Sequence, residues 1–163
     1  MSKKIDYRQM AQQCLNHLVR ETRVNGRSIT DPEEAAQFVA LALLAHGDLQ
    51  RENLGLICLN TSNRVVDVRL IAQGTVNQAP VYLREVARAA LLVSATGIIL
   101  FHNHPGGQAQ PSAEDLAVTK SLAEALQMLE IMLYDHLIIA GNEAYSIMGN
   151  RRVQFAPDQP GLL

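Results

Sequence analysis

His102 and His104 stand two residues apart, and Asp115 follows in Pro111-Ser112-Ala113-Glu114-Asp115, beyond a Pro105-Gly106-Gly107 loop. Side chains two apart on a strand project from one face. Neutral imidazole is a good zinc ligand, so two on one face supply half of a tetrahedral shell. The glycine-bearing loop allows the next helix to fold its first turn back over the strand end. A carboxylate in that turn, here Asp115, is favoured by the helix dipole. Two histidines and one carboxylate leave a fourth position open for water, the pattern of a catalytic zinc site. Each half also has a plain structural explanation. Histidines at strand ends are often only hydrogen-bonded, and Ser112 with an acidic residue three positions on is a helix-capping signal. Their conjunction at short spacing points to a metal.

The elements that position these residues follow from periodicity. Residues 96–101 form a β-rich apolar run that ends at the histidines, and a helix is expected from Ser112 to about Met128. Upstream, Leu54-Gly55-Leu56-Ile57-Cys58-Leu59, a polar turn at residues 60–63 and an apolar stretch over 65–71 read as two strands. A further strand is expected over 79–83 and a helix over 84–94, with closing strands over 131–139 and 144–148. The first fifty residues read as helical: Met10, Cys14, Leu18 and Val19 recur near helical spacing over 5–23. A second helix opens at Asp31-Pro32-Glu33-Glu34, with a capping residue, proline at the first helical position and glutamates at the positive dipole end, and stops near Gly47. Strand pairs mixed with helices predict an α/β or α+β domain with helices packed on a sheet.

Bulk properties exclude several classes. The chain has 163 residues, 48% of them apolar, enough for one hydrophobic core and too apolar for disorder. A net charge of −2 gives no electrostatic footprint for nucleic acid. Cys14 and Cys58 are far apart and form no metal-binding or disulfide framework. No apolar run is long enough for a bilayer and the N-terminus has no signal-peptide pattern, so the expected location is the cytoplasm. Gly106-Gly107 lacks the Lys-Ser/Thr partner of a phosphate-binding loop.

His102-x-His104, seven intervening residues, then Ser112-x-x-Asp115 resembles the JAMM signature of JAB/MPN metalloproteases. With His-Asn-His-Pro, Arg84-Glu85-Val86 upstream and Asp135-His136-Leu137-Ile138-Ile139 downstream, the chain is similar to the RadC-like JAB domain over residues 52–148. The resemblance implies a cytidine-deaminase-like mixed sheet flanked by helices over residues 51–150, with residues 1–50 an N-terminal helical segment and 151–163 a tail. It implies one zinc ion held by His102, His104 and Asp115, and hydrolysis of a peptide or isopeptide amide. Glu52, at the start of an early strand, matches the family's general base; Glu85 is its rival, expected on a helix away from the metal. Ser112 would then donate to the oxyanion. His136 reads as a core or supporting hydrogen-bonding histidine, and His17 and His46 as surface or packing residues. Two departures stand out: Gly106 occupies a place where many members have serine, and residues 1–50 lack the paired-glycine hairpin of the DNA-binding region that precedes the domain in longer members. The alternatives are a DNA-repair or mobile-element accessory protein and a non-catalytic MPN scaffold.

Overall fold

The computed structural model describes residues 26–46, 50–74 and 79–155. The helix expected over 5–23, with Cys14 and His17, and the residues from 156 onward lie outside them. The chain runs α1 (Pro32–His46), β1 (Asn53–Leu59), β2 (Val65–Gln73), α2 (Ala79–Leu92), β3 (Gly97–Asn103), α3 (Ala113–Gln127), β4 (Met132–Ala140), β5 (Glu143–Ser146) and β6 (Arg151–Gln154). The strands form one six-stranded sheet in the order β2-β1-β3-β4-β5-β6. β3 and β4 are parallel and joined through α3, and the other neighbours are antiparallel. This is a mixed α+β domain with helices packed on a sheet, the class the strand and helix pattern predicts.

Every residue of β1 and β3 is buried. They read as continuous apolar runs because helices cover both faces of the sheet at its centre. On one face Ile57, Leu59, Ile99, Phe101, Leu137 and Ile139 pack against Ala36, Val39 and Leu43 of α1. On the other, Leu54, Leu56, Cys58, Ile98 and Leu100 pack against Val86 and Ala90 of α2 and Leu122 and Leu126 of α3. The helix start at Asp31 forms as the sequence predicts, with the Glu34 N–H donating to Asp31 Oδ1 at 2.8 Å.

Two expectations change. Residues 79–83 form the first turn of α2, not a strand. Pro80 fits there because the first-turn N–H has no helical partner to lose. Residues 151–154, assigned to a tail, form β6, whose Val153 enters the α1-side core. α1 packs on the sheet and shares that core, one of the two placements expected for the N-terminal helical segment, on the core or preceding it.

β4 carries an irregularity that matters for the site. Its register against β3 shifts between Ile98 and Ile99, pairing them with Leu133 and Asp135, so that Tyr134 is the extra, bulged residue. Leu133 packs on the α2–α3 face, yet Leu137 packs on the α1 face. An unbroken strand would place both on one side. The bulge reverses the alternation and turns His136 towards the α2–α3 face. Gly97 admits it, because the Tyr134 ring occupies the space a side chain at Gly97 would take. Asp135 fixes the far end: its carboxylate accepts from the Ser146 hydroxyl at 2.6 Å and the Met148 N–H at 3.1 Å. Among the described residues no helix is long and apolar enough to cross a membrane.

Gly55 pairs with Phe101, and a Cβ at Gly55 would overlap the Phe101 ring and come within 2.7 Å of the Arg69 backbone carbonyl. The Phe101 ring is fully buried and the other close atom is backbone, so neither yields easily. Gly55→Ala is therefore expected to lower the unfolding free energy by about 1–3 kcal/mol in a urea titration. An unchanged midpoint would contradict this packing.

Candidate metal centre

β3 has even-numbered residues facing α2 and α3, so His102 continues the row of Ile98 and Leu100 at the strand's carboxyl end. It is only 2% exposed. His104 lies just past the strand, its N–H still bonded to the Ile139 carbonyl at 2.9 Å. Gly106 turns the loop with φ of +65°, a conformation glycine adopts without strain and serine does not. The Gln108 carbonyl reaches back to His104 Nδ1 at 3.1 Å. A carbonyl only accepts, so His104 carries its proton on Nδ1 and presents a lone pair at Nε2.

That Nε2 meets His102 Nε2 at 2.9 Å. Asp115 joins them, with Oδ1 3.2 Å from His102 Nε2 and Oδ2 3.8 Å from His104 Nε2. Its position is fixed by the cap of α3. Ser112 donates its backbone N–H and its hydroxyl to Asp115 Oδ2, at 2.8 and 2.7 Å. The Asp115 N–H donates to Ser112 Oγ at 3.1 Å, completing a capping box. The cap thus holds the Asp115 carboxylate beside both imidazoles.

Among the described residues, Glu52, His102 and His104 form a candidate metal-holding group, their ligand atoms all within 4.8 Å of one another. Glu85 stands apart on α2, paired with Arg88 at 2.7 Å. Glu52 precedes β1 and is held by its neighbours. Asn103, between the two histidines, accepts from the Asn53 N–H at 2.9 Å and side-chain amide at 3.0 Å. Both amide side chains donate to the Arg51 carbonyl, at 2.8 and 3.0 Å. The residues flanking Glu52 are thereby tied to the strand that bears the histidines. Asn53 and Asn103 went unread in the sequence because amides 50 positions apart carry no local pattern.

His136 lies behind His102, its Nε2 2.8 Å from His102 Nδ1 and its Nδ1 2.6 Å from Thr119 Oγ1. The expectation of a supporting histidine fits this placement.

Electrostatics favour neutral imidazoles. Burial pushes the His102 pKa down to about 4, with Asp115 opposing and His104 adding to the depression. Burial likewise holds His136 well below its ordinary value. Burial raises the Glu52 pKa, with His104 opposing and Asp115 reinforcing. Glu52, His102 and His104 offer one carboxylate and two imidazole nitrogens to a metal ion, with the Asp115 carboxylate lying beside both imidazoles.

A JAB-type domain with a histidine–histidine–carboxylate cluster at the end of a central strand is the class this geometry defines. The match to known sequences agrees with it: the family model of the RadC-like JAB domain covers residues 29–152. The chain belongs to that family. A UPF0758 protein of Saccharophagus degradans is 44% identical over 119 residues, 73% of this chain and 52% of that protein. UPF0758 protein PBPRA0202 of Photobacterium profundum is 35% identical over 126 residues, 77% of this chain and 55% of that protein. The chain spans about half the length of these two relatives. UPF0758 protein YeeS of Escherichia coli is 33% identical over 139 residues, 85% of this chain and 92% of that protein.

Because His102 is unprotonated until about pH 4 when folded and 6.5 is its ordinary value, its contribution to stability is complete above about pH 6.5. That contribution is lost as pH falls through this window, while the unfolded chain takes up the proton. In chelator-treated protein, NMR of the His102 ring is expected to show no protonation between pH 7 and 5. A midpoint near 6.5 would contradict the burial argument.

Proposed function

We propose that this chain is a zinc-dependent hydrolase of the JAMM type acting on a peptide or isopeptide amide. The observation that carries this reading is the 2.9 Å approach of two imidazole Nε2 atoms with the Asp115 carboxylate against both. Lone pairs at that distance repel unless a cation lies between them. One shared proton would relieve the pair, but four converging acceptors, two of them carboxylates, fit a divalent metal better.

His102, His104 and Asp115 would hold the ion, and the burial of His102 supports a neutral, ligand-ready imidazole. Bound zinc supplies a water nucleophile at neutral pH and polarises a carbonyl. Glu52 is the proton carrier in this reading: it borders the same cluster, and its raised pKa brings it nearer the working pH of a general base. It would take a proton from water and return it to the leaving amine. Ser112 now spends its hydroxyl proton on Asp115. Its role as oxyanion donor requires that hydroxyl to rotate away, while the two backbone N–H bonds of the cap keep Asp115 in place. The amide substrate class rests on the family resemblance.

Glu52→Gln separates base from ligand. Against a panel of fluorogenic peptide and isopeptide-linked substrates, the parent is expected to cleave and Glu52→Gln to be about 100- to 10,000-fold slower with its zinc retained. Undiminished cleavage by Glu52→Gln would remove it as the base. Loss of zinc from that variant would move Glu52 into the ligand set.

A further inference from the structure

We propose that Thr119 and His136 are positioning residues that select the tautomer in which His102 offers Nε2 to a cation. The proposal rests on the metal reading of the site and adds two residues that touch no ligand-accepting point themselves.

Thr119 Oγ1 lies 2.6 Å from the Asp115 carbonyl oxygen, one helical turn earlier in α3, and 2.6 Å from His136 Nδ1. His136 Nε2 lies 2.8 Å from His102 Nδ1. A hydroxyl has one proton, and a backbone carbonyl only accepts. Two oxygens at 2.6 Å repel unless a proton lies between them, so the Thr119 proton belongs to the Asp115 carbonyl. The hydroxyl must therefore accept from His136, which places the His136 proton on Nδ1. Neutral His136 then has a lone pair at Nε2, and the bond to His102 requires the His102 proton on Nδ1. His102 Nε2 is left with its lone pair facing His104 Nε2 and Asp115.

The competing tautomer has ready partners. With its proton on Nε2, His102 would donate to His104 Nε2 at 2.9 Å or to Asp115 Oδ1 at 3.2 Å and block the site to a cation. Its Nδ1 would then face the His136 Nε2 lone pair with no proton between them. Thr119, His136 and His102 are 4%, 1% and 2% exposed, so water cannot supply the missing proton cheaply. The polarity set at Thr119 is thus passed through His136 to the ligand atom. The fold supplies each member separately: Thr119 from α3, His136 from β4 by way of the Tyr134 bulge, and His102 from β3.

The test uses the whole chain and two readouts. Ring-nitrogen NMR of chelator-treated protein at pH 7.5 reports the His102 tautomer with no metal involved. Competition with a chromophoric chelator reports zinc affinity. The parent and Thr119→Ser, which keeps the hydroxyl, are expected to show the Nδ1–H tautomer and equal zinc affinity. Thr119→Val, which keeps the shape and removes the hydroxyl, is expected to shift His102 towards Nε2–H and bind zinc about 10- to 100-fold more weakly. An Nε2–H His102 in the unaltered protein overturns the proposal without any variant. So does a Thr119→Val protein whose tautomer and affinity are unchanged, or a Thr119→Ser protein that loses both. A parent with the Nδ1–H tautomer and no zinc binding would uphold the relay and overturn the metal reading instead.

Discussion

Two imidazole nitrogens, each with its ring proton drawn to the opposite side, face one another at 2.9 Å beside a carboxylate. Such a cluster of acceptors is repulsive by itself and costly to bury without a compensating positive charge. The rest of the site answers to that constraint. The Gln108 carbonyl orients His104, His136 backs His102, and the cap of α3 fixes Asp115. Each orienting contact comes from a different segment, so the cluster exists only in the folded chain.

The fold holds this arrangement by placing it on rigid elements. His102 ends a strand buried on both faces, and Asp115 sits in a capped first turn of a 15-residue helix. Glu52 is tied to the histidine strand through Asn53 and Asn103, both almost fully buried. A polar network at that depth stays intact only if its members are satisfied together. The bulge at Tyr134 is the least replaceable device. Without it, the alternation along β4 would send His136 to the α1 face, away from His102.

The histidine pair, Ser112 and Asp115 were legible because their spacing is local. A strand end, a loop and a capped helix start can all be read within fifteen residues. The α1 start was legible for the same reason, through Asp31 and Pro32. Glu52 was legible only by resemblance, since its approach to His102 depends on β1 pairing with β3 across some fifty residues. The network of Asn53 and Asn103, and the parity switch at Tyr134, arise from tertiary pairing and leave no mark in periodicity. Residues 79–83 misled because Val81 and Tyr82 favour strands; Pro80 suits a helix start, and the segment continues into the helix-forming run that follows. β6 went unseen because only Val153 of its four residues is buried.

Metal content tests the central claim most directly: elemental analysis of the parent beside a His102→Ala/His104→Ala double variant, both purified without added zinc. Near-stoichiometric zinc is expected in the parent and almost none in the variant. A parent that carries no metal and takes up none when zinc is supplied would contradict it, leaving a capped helix beside hydrogen-bonded histidines.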